Sequence, residues 1–319
     1  MSTFDPIPLM REIARGRHGA RELTRAAARD LFAAALAGSL PEATLGALLV
    51  AFRIKGETAT ELAGMLDATQ PHVAAIAAPP GKARTVIIPS YNGARKLANQ
   101  VPLVALLLAR AGVPVLVHGM AQEARRVSAF DVFERLGHAA ARSPEAITRA
   151  LEERRVAVAP LEALSPALAR ILTFRSVIGV RNVGHTLAKL IRPIDKSLRL
   201  VAVTHPDVLA QMRDFFATEP ADAFLMRGTE GEPVVRPGTA QPVEFFGSHG
   251  ERETWNAASP TEADWLPARE ADATATWTSE VLAGAKDVPA ALAGFVEFIA
   301  RHSGAATRSP ALRVVGRIP

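Results

Sequence analysis

The stretch from Thr85 to Gly137 constrains the fold most. A β-branched run (Thr85 to Ile88) is followed by a turn around Pro89–Gly93 and an apolar helix to Ala111. A second apolar run (Val113 to Val117), the turn His118–Gly119 and another helix complete the pattern. Both strand runs are apolar at successive positions, so both of their faces need covering, as in a parallel sheet with helices on each side. Ligands of such sheets bind beyond the carboxyl ends of the strands. That directs attention to Ser90-Tyr91-Asn92-Gly93 and His118-Gly119-Met120.

The chain before this unit reads as all helical. One short helix carries Leu9, Ile13 and Ala14, and Gly16-Arg17-His18-Gly19 breaks it. Thr24 is placed to cap the next helix, Pro41 opens a third, and Thr58 with Glu61 forms a capping box for a fourth. Arg53 and Lys55 end the third helix, where cations favour the dipole and can bridge to Glu57. Ala78-Pro79-Pro80-Gly81 is a hinge.

Further strands are expected at Val156–Ala159, Leu200–Val203 and Ala223–Met226, with helices at Pro144–Arg155, Val208–Phe216 and Ala290–His302. Residues from Leu161 to about Leu190 read as helical with an interruption near Gly179. Residues 233–274 read as loops and short antiparallel strands, and the last residues as a tail. The domain boundaries expected are 1–78 for the helical part, completed by about 161–190, and 79–319 for the α/β part.

Composition excludes several chemistries. With no cysteine there is no disulfide framework, thiolate metal site or cysteine nucleophile. The eight histidines lack H-x-x-x-H spacing, so no metal site is proposed, and neither a P-loop nor a G-x-S-x-G elbow occurs. Val101 to Val117 is cut by Arg110 and Pro114, so no membrane span and a cytoplasmic location are expected. The net charge of +5 is compatible with a polyanion partner without demanding one.

Four segments together carry a resemblance. Ala51-Phe52-Arg53-Ile54-Lys55-Gly56-Glu57-Thr58, the block Ile88 to Lys96, the turn Val117-His118-Gly119, and Gly179 to Lys189 resemble the YbiB branch of the anthranilate phosphoribosyltransferase (TrpD-like) family. The resemblance implies a helical domain beside an α/β domain with a mostly parallel sheet, and a homodimer formed through the helical domains.

It also implies phosphoribosyl transfer, which requires a glycine-rich cradle for pyrophosphate, usually with magnesium. The family's Gly-Thr-Gly-Gly-Asp motif is matched here by Pro89-Ser90-Tyr91-Asn92-Gly93, with one glycine left and the acid gone. Lys-His-Gly-Asn is matched by Val117-His118-Gly119-Met120. The magnesium-holding Asp-Glu pair aligns near Gly231-Glu232-Pro233. Three departures at one site imply a vestigial pocket, comprising Ser90, Tyr91, Asn92, Gly93, His118 and Gly119, with no catalytic residue and no cofactor.

Cations have gathered instead. Arg95 and Lys96 follow the first turn, at the expected opening of its helix. Arg175, Arg181, His185, Lys189, Arg192, Lys196 and Arg199 follow later, and the steps from Arg181 to Arg192 place four of them on one face of any helix that spans them. A second set (Arg15, Arg17, Arg21, Arg25, Arg29) is interleaved with acids and reads as a solvated face.

The first reading is a non-enzymatic protein that binds DNA or RNA through phosphate contacts with little sequence preference, as the YbiB branch implies. Aromatic residues for stacking on single strands are few, with Tyr91 and Phe174 the nearest. A second reading is a divergent glycosyl or phosphoribosyl transferase acting on a phosphorylated sugar or nucleotide, with Ser90, Asn92, Gly93 and His118 holding it and Glu230 or Glu232 on a metal. A dimeric scaffold that docks another protein is the third.

Overall fold

The computed structural model describes residues 4–16, 18–121, 126–219, 221–236, 239, 241–256 and 266–305. Arg17 and the expected tail lie outside them.

Seven strands form one sheet: β1 (Val86–Ser90), β2 (Val115–Gly119), β3 (Val156–Pro160), β4 (Leu198–Val203), β5 (Ala223–Arg227), β6 (Pro242–Phe246) and β7 (Arg252–Asn256). Their order is β3-β2-β1-β4-β5-β6-β7. The first five are parallel, and β6 and β7 add an antiparallel hairpin at one edge. Every residue of β1 to β4 is buried, as their largely apolar sequences require. Each aliphatic side chain so covered contributes roughly 1.5–3 kcal/mol.

The helical part comprises Ile7–Ile13, Arg25–Leu36, Glu42–Lys55 and Ala59–Thr69, joined by Pro166–Thr173, Arg175–Ile178 and Gly184–Leu187. Thr24 caps through Ala27 N–H, and the Thr58/Glu61 capping box is complete. One core cluster runs from Leu31, Phe32, Leu48 and Met65 of the bundle into Ile87, Leu116 and Val201 on one face of the sheet. A second cluster packs Val101–Leu108 and Ala290–Ser303 on the other face.

Three expectations are corrected. The helix after β1 starts at Val101, where Pro102 occupies the first turn and Asn99 Oδ1 accepts the Val101 N–H at 3.1 Å, so Arg95 and Lys96 sit in a loop. Residues 161–190, expected to be helical with one interruption near Gly179, form four short helices, broken there over Gly179–Val183 and also at Ser165 and Phe174. The helix Ala271–Leu282 begins inside the segment read as loop and strand, with Trp277 and Val281 in the core. No helix among the described residues is long and apolar enough to cross a membrane.

Candidate functional site: a filled anion cradle

Parallel strands bring Ser90 at the end of β1 opposite Gly119 at the end of β2. A Cβ on Gly119 would run into the Ser90 carbonyl, so glycine is what lets these strand ends close up. From Ser90 the chain runs through Tyr91 to Leu97 without forming a helix, and Gly93 turns it at φ +64. The loop's backbone N–H groups therefore need partners from elsewhere.

Two glutamates from the loop after β5 supply them. Glu232 Oε1 accepts the N–H groups of Asn92 and Gly93, each at 2.7 Å, while Oε2 accepts the Ser90 hydroxyl at 2.5 Å. Glu230 accepts the N–H groups of Arg95 (2.7 Å), Lys96 (3.0 Å) and Leu97 (3.3 Å). Asn92 Nδ2 donates back to the Gly231 carbonyl at 2.5 Å, closing the loop onto the turn.

The geometry is tight and strained. Glu230 holds φ +54, a region that non-glycine residues seldom occupy, and Gly231 follows at φ +90. Burial pushes the Glu232 carboxyl up, against the Ser90, Gly93 and Asn92 donors. Burial also opposes ionisation of Glu230, but the Lys96, Arg95 and Leu97 N–H groups together outweigh it and hold that carboxyl below its usual range.

Both carboxylates are thus committed to N–H and O–H donors. A divalent cation does not fit residues so engaged, and no cluster of three or more His, Asp or Glu side chains among the described residues is arranged to hold one.

Beneath the turn, Tyr91 is 1% exposed and its hydroxyl meets His118 Nδ1 at 2.8 Å. His118 is fully buried, with Nε2 unpartnered among the described residues, and burial lowers it to about 3. The imidazole is therefore neutral and closed off from solvent.

Cations ring the mouth. Arg181 donates to the Tyr91 carbonyl at 2.5 Å, Arg126 to that of Asn92 at 2.8 Å and Arg269 to that of Arg95 at 2.8 Å. Beside them lies a cavity of about 170 Å³ whose lining includes Arg53, Asn92, Arg181, His185, Lys189 and His205. Lys189 donates to the Ala202 carbonyl at 2.6 Å and is lowered to about 8 by burial and by Arg181. His185 is buried beside the Asn182 carbonyl and lowered to about 3, by burial first and then by Arg181 and Arg175.

The cationic segment 175–199 does not line one helix face. It descends the length of the sheet, from Arg181 at the carboxyl end of β1 to Lys196 just before β4. Arg199, taken from the sequence as a contact residue, is 3% exposed inside β4; it donates to the Leu190 carbonyl at 2.9 Å and lies over the Phe216 ring. Arg192 and Lys196 are exposed at the opposite end from the cradle. Lys55 pairs with Glu61 at 2.6 Å rather than with Glu57. In the second basic set, Arg15 and Arg21 pair with Glu12, Arg25 with Asp67 and Glu219, and Arg29 with Asp30.

Spacing alone does not reveal Glu230 and Glu232 as the occupants of the cradle, nor Arg126 and Arg269 as its neighbours. The sequence points to Glu230 and Glu232 only as candidate metal ligands, through the acidic pair that aligns near Glu232.

Two family models match the chain. The helical bundle domain of the glycosyl transferase family matches residues 8–72, and that family's a/b domain matches 95–258. The chain belongs to this TrpD-like glycosyl transferase family. YbiB of Escherichia coli (strain K12) is 38% identical over 287 residues, which cover 89% of this chain and 90% of that protein.

Anthranilate phosphoribosyltransferase of Synechococcus elongatus is 31% identical over 206 residues, 64% of this chain and 59% of the enzyme. Among solved structures, the TrpD-like fold is shared with anthranilate phosphoribosyltransferase from Thermus thermophilus (TM-score 0.75, 24% identity, 95% of this chain and 90% of that one). It is shared also with the Saccharomyces cerevisiae enzyme in complex with PRPP and Mg (TM-score 0.73, 14% identity, 96% and 91%).

Proposed function

We propose that this TrpD-like chain is a non-catalytic, nucleic-acid-binding homodimer of low sequence preference. One observation carries the reading: the turn that would cradle a transferable phosphate group is filled by Glu230 and Glu232, while cations surround it. The mouth carries Arg53, Arg95, Lys96, Arg126 and Arg181, a set that draws on two domains and favours a phosphate backbone over a single small anion. Arg192 and Lys196, at the far end of the sheet, belong to a different surface, and Arg199 to the core.

The dimer reading rests on apolar side chains at the surface of the helical part. Ile7, Ile54 and Val177 are 46%, 67% and 76% exposed, on helices that neighbour one another. Replacing Val177 with Asp is expected to yield monomers in sedimentation equilibrium; an unchanged mass would remove this face from the dimer.

The deciding experiment is fluorescence anisotropy with an oligonucleotide of arbitrary sequence over a salt series. Wild type is expected to bind with a steep negative salt slope. Arg95→Glu/Lys96→Glu is expected to weaken binding at least tenfold and to reduce the slope by roughly 2. No binding at low salt, by duplex or single strand, would sink the reading.

The divergent-transferase reading draws on the cavity beside Lys189, where a small anion could lodge. Saturable binding of phosphoribosyl pyrophosphate by wild type, abolished in Asn92→Ala, would bring it forward.

A further inference from the structure

Lys189 stands apart from the other lysines: it is half-buried and makes no ion pair among the described residues. Lys55 and Lys286 pair with Glu61 and Glu280, while Lys82, Lys96 and Lys196 are exposed. From the turn after Gly184–Leu187, the Lys189 ammonium reaches across to the Ala202 carbonyl of β4. A lysine placed only to brace that strand would gain from an acid beside it. This one is set among cations instead.

The cavity of about 170 Å³ that it lines has an apolar wall, built by Val201 and Val203 of β4 with Val208 and Met212 of the helix Pro206–Thr218. Arg53, Arg181, His185 and His205 also line it, and no acidic side chain does. The carboxylate whose field reaches Lys189 is Glu232, and its oxygens are already taken by Ser90, Asn92 and Gly93. Arg53 makes no hydrogen bond or ion pair among the described residues, so its planar fork is open to an incoming anion.

An amine so placed is a nucleophile. Burial, with Arg181 adding to it and Glu232 opposing it, lowers the ammonium to about 8, so near that pH about half of the amine carries a free electron pair.

We propose that Lys189 is a carbonyl-capturing lysine, which condenses with a small aldehyde bearing an anionic group that Arg53 holds at the cavity wall. After the ammonium gives its proton to solvent, the nitrogen attacks the carbonyl carbon and the C=O bond gives way to C=N. Both remaining amine hydrogens leave with the carbonyl oxygen as water, and nothing is oxidised or reduced. Protonation of the imine by solvent restores an N–H for the Ala202 carbonyl, so the internal hydrogen bond survives the reaction. The cavity's size limits the partner to a short aldehyde.

The experiment treats the full chain with glyoxylate and sodium cyanoborohydride, which reduces the imine to a stable carboxymethyl amine, and follows each lysine by peptide mass spectrometry. At a pH near 8, Lys189 is expected to be labelled faster than Lys82, Lys196 and Lys286 by about tenfold or more, because it presents far more free amine than an ordinary lysine. Its rate is expected to saturate with glyoxylate. Acetaldehyde, which is short but uncharged, is expected to lose most of this selectivity. Arg53→Gln, checked for folding by circular dichroism, is expected to slow glyoxylate labelling of Lys189 and to leave acetaldehyde labelling little changed.

Glyoxylate labelling of Lys189 no faster than that of the exposed lysines would overturn the proposal, as would equal selectivity with the two aldehydes. The main comparison is made within wild type, so it does not depend on any variant folding. The reactions contain no oligonucleotide. Their failure leaves the anisotropy result standing, and failure of nucleic-acid binding leaves them untouched.

Discussion

Two buried glutamates, one in each part of the molecule, make a close comparison. Glu61 lies in the helical bundle at 0% exposure, accepting the N–H groups of Leu23 (2.8 Å) and Thr58 (2.9 Å) and pairing with Lys55 at 2.6 Å. Glu232 lies at the sheet end at 2% exposure, accepting two N–H groups and a hydroxyl, with no cation in direct contact among the described residues. Both satisfy backbone donors. Glu61 does so three residues from its own helix cap, with its charge neutralised in place, and is a structural fixture. Glu232 reaches across the chain to a turn whose donors are arranged for an anion, and leaves its charge to the field of Lys189. The difference separates a carboxylate that builds a fold from one that occupies a site.

Stability measurements test this contrast. Glu61→Ala strands Lys55 and two buried N–H groups, and is expected to destabilise the protein by about 3–5 kcal/mol in urea unfolding. A loss no larger than that of Glu232→Gln would erase the distinction.

Next in size is Glu57, raised to about 7 by burial, with the nearby Glu61 adding to the effect and its own N–H, Lys55 and Arg53 opposing it. The folded value lies above the unfolded one, so the protonated form is favoured in the fold. Its contribution is complete below the ordinary glutamate range and is lost as pH rises to about 7. Between those limits wild type is expected to lose about 2 kcal/mol relative to Glu57→Gln, and parallel stability curves would refute the assignment.

Glu232→Gln keeps a carbonyl for the amides and removes the charge, so a cost of only about 1–2 kcal/mol is expected. The smallest effect concerns the far surface: Arg192→Glu/Lys196→Glu is expected to change oligonucleotide affinity less than twofold. A drop like that of Arg95→Glu/Lys96→Glu would reunite the two ends of the cationic segment.

Local features were readable in the sequence because their partners are close. The Thr58/Glu61 capping box, the Thr24 cap and the apolar strand runs each depend on a few neighbouring residues. Charge was harder to place. Arg199 and Lys189 were read as surface because cations usually are, yet here the Leu190 and Ala202 carbonyls take them inward. The helical spacing from Arg181 to Arg192 was misleading, since Gly184–Leu187 is only one turn long. The sequence offers Glu230 and Glu232 as metal ligands but not as occupants of the cradle, for a topological reason. Their partners lie more than 130 residues away and meet them only once strand order is known.

That strand order gives the glutamate loop a mechanical role. β4 lies between β1 and β5, so a loop leaving β5 to grip the turn after β1 passes over the tip of β4. It touches that tip on the way, through the Gly228 N–H on the Val203 carbonyl at 3.0 Å. The loop is thus a clasp fastening three strand ends together. Unfastening it would leave the carboxyl tips of β4 and β5 less well braced, and amide hydrogen exchange at Gly228 and in the turn 92–97 should accelerate together, as one cooperative opening.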